Sequence, residues 1–582
     1  MAPKVTSSGV FLRWRAIAVL GLCGACSRAA SGGPTSALLI TLDTTRADAL
    51  QEALTPNLEH FAADAVRFER AYTVTPLTLP AHASMMSGLY PVRHGLRNNG
   101  ARRLSSEAET LAERAQEVGI QTAAFISAAV LDGAFGLNQG FDVYDSPPLA
   151  VQQLTTEYSS RRGSEIVSRA LDWLAHRDRK RPFFLWVHIW DPHGPYDPPA
   201  EFRDIAPQHP YLGEVAAADK AVGQLLTYLK EDGIHDHTTV LIVADHGEAF
   251  WEHGEFSHGS YCWDTTMRVP LMLRSPGDVR NGQRVQAIAS VADVHPTLAA
   301  AMELPPTQAQ LDGQNLLDPI APDRGVYLES YYGYLAYGWS PLTGWVDERG
   351  KYLHSSQPIF FDAQEDPKEE RPRAAADATY DSYRRAIGEI GDRRVLTDVR
   401  PEKVSGLDEE IGQLGYAQVE QRDALPHPLS QSSAPSPHGM IDEQKLTLKA
   451  QKYFNTGDYA ECEKIHARIL AENPRNMHSW SRMGICLIRQ RRHQEAIPAL
   501  ERVYSSDRVT ASAAVNLGVC MRVAERTERA IECFELALAI DGSHAQAVRH
   551  LIDLYEALGN GEKAASYRRR YRELTGQSLP PR

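Results

Sequence analysis

The stretch Ala37–Leu42 (ALLITL), followed at once by Asp43, gives the first indication of the fold. Two further runs have the same character, Phe183–His188 (FFLWVH) and Thr239–Ala244 (TVLIVA). Short runs in which nearly every residue is apolar or β-branched are typical of strands that are buried on both faces. We therefore expect these three runs to be inner strands of a mostly parallel sheet.

Helical segments lie between these runs, among them Thr110–Val118 and Gly213–Leu229. Strands that alternate with helices predict an α/β domain. In such domains ligands bind beyond the carboxyl ends of the strands. Polar residues that directly follow a strand are therefore the first candidates for a functional site.

Length and charge exclude several classes of protein. A chain of 582 residues is too long for one core and predicts two or three domains. With 43% hydrophobic and 23% charged residues, it is neither disordered nor a polytopic membrane protein. The net charge of −13 argues against a nucleic-acid partner.

The N-terminus has the features of a bacterial export signal over residues 1–26. Basic residues precede the apolar run Ala16–Leu22, and Gly24 and Ala25 lead into Cys26. This resembles a lipobox with Cys23 in place of the usual leucine, so Cys26 is the candidate for lipidation and membrane anchoring. The predicted location is the periplasm or, for a lipoprotein, the outer membrane or cell surface. The alternative is a buried N-terminal helix with a chance cysteine.

The C-terminal part is a repeat. Small residues recur every 34 residues at Cys462, Ala496, Ala530 and Ala564, where paired helices would cross closely. This closely resembles the tetratricopeptide repeat, an all-α solenoid of about four units here, whose concave face usually binds a protein or peptide. The cysteines of this region are interpreted as small buried hydrophobic residues, because no metal-ligand spacing is present.

Composition also predicts the domain boundaries. Aromatic-rich short strands fill 326–361, and 430–438 is rich in Ser and Pro. The predicted parts are a catalytic domain at 36–325, its smaller C-terminal part at 326–425, a linker at 426–445 and repeats at 446–582.

Two segments after predicted strands carry candidate groups whose function is ambiguous on its own. A buried carboxylate such as Asp43 either meets a cation or caps the next helix. Thr78 lies at the mouth of a helix, where it either caps the backbone or faces an anion.

Histidines and carboxylates follow two other strands. One cluster contains His193, and the other contains Asp245 and His246, with His258 close behind. An Asp-His pair after a strand offers a carboxylate and an imidazole to one metal ion, as hydrolytic sites often require.

Together these segments resemble the sulfatase family of the alkaline phosphatase superfamily, in order from Ser36 to Arg373. The matching segments are Leu38–Asp48, Thr55–Leu58, Thr78–Gly88 with Tyr90–Gly95, Asp191–His193, Asp245–Glu248 and Arg268–Pro270. The resemblance implies an alkaline-phosphatase-like α/β sandwich with a mostly parallel central sheet and a small C-terminal sheet subdomain.

The resemblance also implies roles for individual residues. Asp43, Thr78, Asp245 and His246 correspond to metal ligands, and Thr78 stands at the position of the nucleophile. His82 replaces the family's usual arginine, His193 corresponds to a histidine that assists the leaving group, and His258 lies near a substrate-binding lysine. Asn98 or Asn99 is expected to contact the transferred group.

The threonine departs from the family's pattern. Sulfatases oxidise a cysteine or serine at this position to formylglycine, whereas oxidation of threonine would give a ketone. No formylglycine is expected, and the Thr78 hydroxyl is predicted to attack directly. With His246 among the ligands, the divalent ion is Mn²⁺, Zn²⁺ or Ca²⁺.

Three functional alternatives stay open at this point. The anionic substrate is a sulfate ester by overall resemblance. It is a phosphate ester, phosphodiester or phosphonate ester by the chemistry of a threonine nucleophile. The third alternative is a catalytically silent scaffold that binds partners through its repeats.

Overall fold

The computed structural model describes residue 1 and residues 35–52, 55–100, 102–147, 160–396, 425–506 and 509–577. Cys26 and, apart from residue 1, the predicted signal segment 1–26 lie outside the described residues. Within the described ranges, no helix combines the length and the apolar composition that crossing a membrane requires.

The strands of the main sheet are β1 (Ser36–Leu42), β2 (Val66–Tyr72), β3 (Gln121–Ile126), β4 (Val143–Asp145), β5 (Phe183–Ile189), β6 (Thr238–Ala244), β9 (Arg268–Val269), β10 (Leu271–Arg274) and β11 (Arg284–Ser290). A two-stranded ribbon is formed by β7 (Ala249–Phe250) and β8 (Phe256–Ser257). The smaller sheet contains β12 (Val326–Ser330), β13 (Leu342–Val346), β14 (Gly350–His354), β15 (Ile359–Asp362) and β16 (Arg373–Ala374).

The main sheet has the order β11-β2-β10-β6-β1-β5-β3-β4, with β9 paired to β2. The three predicted inner strands are neighbours, because β1 pairs in parallel with both β5 and β6. Strand β10 runs antiparallel between β2 and β6. The prediction of a mostly parallel central sheet is confirmed.

The helices that accompany this sheet are α1 (Ala49–Glu52), α2 (Pro56–Ala62), α3 (Thr78–Ser87), α4 (Pro91–His94), α5 (Leu111–Glu117), α6 (Gly163–His176), α7 (Pro210–Glu231), α8 (Asp264–Met267), α9 (Val294–Ala301), α10 (Tyr332–Tyr337) and α11 (Asp381–Gly391). The two predicted helices are present as α5 and α7. Helix α5 begins with a capping box in which Thr110 and Glu113 satisfy each other's backbone N–H groups.

Strands β1, β5 and β6 form the centre of the core. Their apolar side chains, such as Leu39, Trp186 and Leu241, are fully buried, as expected for strands covered on both faces. Each such side chain contributes about 1.5–3 kcal/mol by leaving water. The smaller sheet is antiparallel throughout and packs into the same core.

Eight helices follow in antiparallel pairs, as the repeat predicted. They are α12 (Ile441–Asn455), α13 (Tyr459–Glu472), α14 (Met477–Arg489), α15 (His493–Tyr504), α16 (Ala511–Val523), α17 (Thr527–Ile540), α18 (Ala545–Ala557) and α19 (Gly561–Thr575). Gly518 illustrates why small residues recur here, because an added Cβ would lie 2.7 Å from the Phe534 ring.

The cysteines of the repeats are buried, as expected for packing residues. The Sγ atoms of Cys462 and Cys486 lie 3.0 Å apart. Cys262, in the α/β domain, is buried as well.

The α/β domain and the repeats belong to one compact unit. Helix α12 begins at Ile441, inside the segment 426–445 that was predicted to be a linker. The residues before it pair with the smaller sheet, since Ser340 N donates to Pro435 O at 2.9 Å and Thr343 Oγ1 donates to Pro428 O at 2.9 Å. This segment is therefore hydrogen-bonded to the α/β domain.

Helix α12 also contacts the loop that follows the ribbon β7–β8. Gln444 Nε2 donates to Ser260 Oγ at 3.1 Å, two residues beyond His258. Ile441, the first residue of the helix, also lies close to the turn between β7 and β8. A Cβ added to Gly254 in that turn would lie 2.3 Å from Ile441 Cγ2.

Candidate active site

The candidate site lies at the carboxyl ends of β1 and β6, beside the end of β5. Asp43 N donates to Ile189 O at 3.0 Å, which continues the β1–β5 pairing by one step beyond the strand. Asp245 N donates to Leu42 O at 3.3 Å, which continues the β1–β6 pairing in the same way. The parallel register therefore brings Asp43 and Asp245 side by side at the sheet edge where ligands usually bind.

Thr78 is the first residue of helix α3, which is buried along its whole length. Its Oγ1 lies 3.2 Å from His246 Nε2, so α3 brings the predicted nucleophile to the strand ends. One turn later, His82 Nδ1 lies 2.8 Å from the carbonyl oxygen of Thr78. Since Thr78 caps nothing through its side chain here, its hydroxyl is available for chemistry.

The carboxylates of Asp43 and Asp245 are buried, and hydrogen bonds satisfy only part of their oxygens. Asp245 Oδ1 accepts hydrogen bonds from Thr44 N at 3.2 Å and His246 N at 2.7 Å. Among the described residues, Asp245 Oδ2 and both carboxylate oxygens of Asp43 have no hydrogen-bond partner. Burial raises the pKa of Asp43 well above its usual range. Burial and the Asp43 charge raise the pKa of Asp245 to about 7.

These orphaned oxygens fit a divalent cation. The ligand atoms of Asp43, Asp245 and His246 all lie within 4.8 Å of one another, and all three side chains are fully buried. Two carboxylates that face each other in a dry interior are costly unless a cation lies between them. The predicted metal ligands Asp43, Asp245 and His246 are thus brought together, with Thr78 at their edge.

Several histidines present one ring nitrogen to this centre. In each, Nδ1 lies within hydrogen-bond distance of a backbone carbonyl and so carries the proton, which leaves Nε2 with a lone pair. The pairs are His82 with Thr78 O at 2.8 Å, His246 with Gly247 O at 2.9 Å and His193 with Gly194 O at 2.6 Å. Burial lowers the pKa of His82 to about 3 and that of His246 to about 4, so these rings are neutral.

His193 and His258 extend the site away from the carboxylates. The rings of His246 and His258 have centroids 4.3 Å apart, and those of His258 and His193 are 5.5 Å apart. Trp190 stacks on His193 with a centroid separation of 3.8 Å and fixes that ring. Burial lowers the pKa of His193 well below its usual range. The three histidines therefore form a row that begins beside Thr78.

Asn99 contributes to the start of helix α3. Its Oδ1 accepts a hydrogen bond from Leu79 N at 2.9 Å, next to Thr78. Its Nδ2 is buried and has no hydrogen-bond partner among the described residues, which suits a contact with an anion. Asn98 is buried beside it.

Sequence reasoning gave no role to His188, although it lies in the same cluster. Its Nε2 is 3.4 Å from Asp43 Oδ2, and its Nδ1 is 3.1 Å from Ser127 Oγ. The signal that could have identified it is register, because His188 pairs with Thr41. Asp43 follows Thr41 by two residues, and residues two apart on a strand share a face.

Comparison with known proteins agrees with this geometry. Residues 36–304 match the sulfatase family, and residues 447–513 and 482–543 match tetratricopeptide repeats. The chain carries a sulfatase domain followed by tetratricopeptide repeats. The fold and family predicted from the sequence are confirmed.

Related proteins indicate the reaction class of the sulfatase domain. An arylsulfatase of Clostridium perfringens is 23% identical over 429 residues, 57% of this chain and 88% of that protein. An N-acetylgalactosamine-6-sulfatase of Homo sapiens is 24% identical over 406 residues, 56% of this chain and 78% of that protein. The sulfatase domain is thus that of an ester hydrolase.

Solved structures share the architecture of the sulfatase domain. The phosphonate monoester hydrolase of Agrobacterium radiobacter has a TM-score of 0.51 at 22% sequence identity, covering 60% of this chain and 93% of that one. This likeness supports the alkaline-phosphatase-like fold.

Proposed function

We propose that the chain is a metal-dependent ester hydrolase in which Thr78 attacks the sulfur or phosphorus directly, without formylglycine. The observation that carries this proposal is the position of the Thr78 hydroxyl, 3.2 Å from His246 Nε2 at the edge of a buried carboxylate pair. Asp43, Asp245, His246 and Thr78 would hold the divalent ion. When bound, such an ion neutralises the carboxylates and withdraws charge from the transferred group.

The chain's own residues account for two displacement steps. In the first, the Thr78 hydroxyl gives its proton to solvent water, Oγ1 forms a bond to sulfur or phosphorus, the bond to the alcohol breaks, and the alcohol leaves with a proton from His193. In the second, a water molecule gives a proton to His193 while its oxygen attacks the Thr78 ester, the bond to Oγ1 breaks, Oγ1 takes a proton back from solvent, and inorganic sulfate or phosphate departs. Helix α3 places Oγ1 for both steps.

His193 is the candidate for the proton transfers. Its Nδ1–H is held by Gly194 O, and its Nε2 is buried with no hydrogen-bond partner among the described residues. An anionic ester bound nearby favours the protonated ring, which can then give its proton to the departing alcohol. The neutral ring can accept a proton from the attacking water, so its protonation state is restored after one turnover.

A direct test compares hydrolysis of nitrophenyl sulfate, phosphate and phosphodiester substrates by the purified, metal-loaded protein. We expect Thr78→Ala to abolish hydrolysis and Thr78→Ser, which keeps a hydroxyl, to retain part of it. Mass spectrometry of the wild-type protein quenched during turnover should find the sulfuryl or phosphoryl group on Thr78. Activity that survives in Thr78→Ala would exclude Thr78 as the nucleophile.

The same rates decide which ester is the substrate. A threonine nucleophile favours a phosphoric ester, whereas the named relatives act on sulfate esters. We propose the phosphodiester or phosphonate ester as the second candidate substrate class, because Thr78 stands where formylglycine would be needed. The substrate class with the highest kcat/KM identifies the reaction.

We also propose that the protein is exported and lipidated at Cys26, so that the sulfatase domain acts in the periplasm or at the cell surface. This rests on the charged and apolar segments that precede Gly24 and Ala25. Metabolic labelling with a fatty acid should mark the wild-type chain and not Cys26→Ser. Labelling of both chains, or of neither, would contradict lipidation at this residue.

A further inference from the structure

A second group of buried ligands lies on the other side of the carboxylate pair. The ligand atoms of His82, His188 and Asp245 all lie within 4.8 Å of one another, and all three side chains are fully buried. This group shares Asp245 with the first group but contains neither His246 nor Thr78. The rings of His82 and His188 meet edge to face, with centroids 5.0 Å apart.

The carboxylate of Asp43 faces a histidine on each side. Its Oδ1 is 3.9 Å from His246 Nε2, and its Oδ2 is 3.4 Å from His188 Nε2. Both distances exceed the 2.7–3.2 Å of an N–H···O hydrogen bond. They approach the separation of about 3.4 Å between two ligands of a tetrahedral ion whose bonds are about 2.1 Å long.

The proton on His188 lies on the side of the ring away from Asp43. Ser127 Oγ donates its only hydrogen to His188 O at 2.6 Å, so in its 3.1 Å contact with His188 Nδ1 the ring nitrogen is the donor. In the neutral ring, the lone pair of Nε2 therefore points at an oxygen of Asp43. Two facing lone pairs in a dry interior repel each other, and a cation between them removes the conflict.

His82 completes this side of the cluster. Its Nδ1 donates to Thr78 O, and its Nε2 is buried with no hydrogen-bond partner among the described residues. Its Nδ1, the nitrogen that donates to Thr78 O, is 3.8 Å from Asp245 Oδ2. A metal-binding histidine usually donates its other ring N–H to a carbonyl or hydroxyl oxygen, and both His82 and His188 do so.

We propose that His82, His188, Asp43 and Asp245 bind a second divalent cation, which shares both carboxylates with the ion of the proposed nucleophile site. Two imidazoles and two carboxylates favour zinc or a similar transition ion over calcium or magnesium. With two dications, the buried centre carries a net positive charge, which suits an anionic ester. This inference deepens the proposed function, because the two ions share ligands, but it does not require Thr78 to be the nucleophile.

The test counts metal ions and needs no substrate. The full chain is stripped with a chelator, dialysed against Zn²⁺ and analysed by elemental mass spectrometry. We expect two zinc ions per wild-type chain and one per chain in His82→Gln and in His188→Gln. The control is His94→Gln, because His94 is also buried but lies outside the cluster, where its Nε2 is hydrogen-bonded to Ser84 Oγ. This variant should keep both ions.

A second measurement does not depend on any variant. Anomalous scattering at the zinc edge from crystals of the wild-type protein should show one peak between His188 and Asp43 and another beside His246. One peak, or one zinc per wild-type chain, overturns the second site, as does retention of both ions in His188→Gln. One zinc with Thr78-dependent turnover rejects only this inference, whereas two zinc ions with turnover in Thr78→Ala rejects only the proposed nucleophile.

Discussion

Trp339 donates a hydrogen bond from its indole Nε1 to Oε1 of Glu443 at 2.9 Å, which joins the sulfatase domain to the first helix of the repeats. Glu443 also accepts hydrogen bonds from Asn473 Nδ2 at 3.0 Å and from Asn476 Nδ2 at 2.9 Å. Asn473 in turn reaches Tyr337 O at 2.9 Å. One buried carboxylate thus connects the sulfatase domain with two adjacent repeats.

Glu443→Ala should lower the free energy of unfolding by about 2–4 kcal/mol, because it leaves these buried donors without an acceptor. A urea titration of the full chain followed by tryptophan fluorescence measures the change. The surface residue Glu495, which pairs with Arg492 in an exposed position, supplies the control Glu495→Ala, which should change stability by less than about 0.5 kcal/mol. Equal midpoints for the two variants would show that this bond network contributes little.

Asp43→Asn should stabilise the metal-free protein and abolish turnover at the same time. The amide removes a buried charge that has no hydrogen-bond partner among the described residues, and we expect a gain of about 2 kcal/mol. The exposed Asp172 gives the control Asp172→Asn, which should leave the melting temperature unchanged. Calorimetry in the presence of chelator is the measurement. A lower melting temperature for Asp43→Asn would mean that the carboxylate does not destabilise the metal-free fold.

Metal loading should reverse the order of the melting temperatures of the wild-type protein and Asp43→Asn. Because the ion binds the folded chain, Zn²⁺ should raise the melting temperature of the wild-type protein in a concentration-dependent way. The same addition should raise that of Asp43→Asn much less, since one shared ligand is lost. Identical shifts in the two proteins would place the bound ion away from Asp43.

Substitutions of Asn99 separate its two roles. Asn99→Ala leaves Leu79 N without its acceptor and should cost about 1–3 kcal/mol of stability together with a lower kcat. Asn99→Asp keeps that acceptor but replaces the buried Nδ2 donor with a negatively charged oxygen, so KM for an anionic ester should rise. If Asn99→Asp binds substrate as well as the wild type does, Asn99 only positions helix α3.

Gly518→Ala should destabilise the repeats by about 1–3 kcal/mol, because the new Cβ would meet the Phe534 ring at 2.7 Å. Its matched control is Gly561→Ala in helix α19, where an added Cβ meets nothing within 4 Å. Turnover at low temperature should be unchanged in both variants. Thermal unfolding followed by circular dichroism distinguishes them, and equal melting temperatures would contradict the close helix crossing.

Cys462 and Cys486 should form a disulfide when an oxidant such as oxidised glutathione is supplied. Their sulfur atoms are already 3.0 Å apart, so a short movement reaches the bond length of about 2.05 Å, and two electrons and two protons pass to the oxidant. Peptide mapping under non-reducing conditions should find the linked pair in the wild type. Failure to link at full oxidation would show that the helices hold the two sulfurs in an unsuitable orientation.

The central strands could be predicted from the sequence, because β1, β5 and β6 are buried on both faces and read as unbroken apolar runs. The antiparallel strand β10 (Leu271–Arg274) could not, since four residues carry no periodic signal and its direction depends on distant partners. His188 was missed for a related reason. It lies inside an apolar run, and only the register with Thr41 shows that it faces Asp43.

The contact between the two parts was also hidden from sequence reasoning. Ser and Pro at 430–438 are typical of a flexible linker, yet the chain here is hydrogen-bonded to the smaller sheet. The bond between Trp339 and Glu443 joins residues that are 104 positions apart. Composition describes local preference and holds no information about such pairs.

The contact between Gln444 and Ser260 limits which repeats such a chain can gain or lose during evolution. A gain or loss of repeats at the C-terminal end, beyond helix α15, leaves the anchoring residues Glu443, Asn473 and Asn476 in place. Loss of the first repeat would instead remove helix α12, which contacts the loop that carries His258. The first repeat therefore belongs structurally with the sulfatase domain, whereas the later repeats can be exchanged without loss of these contacts.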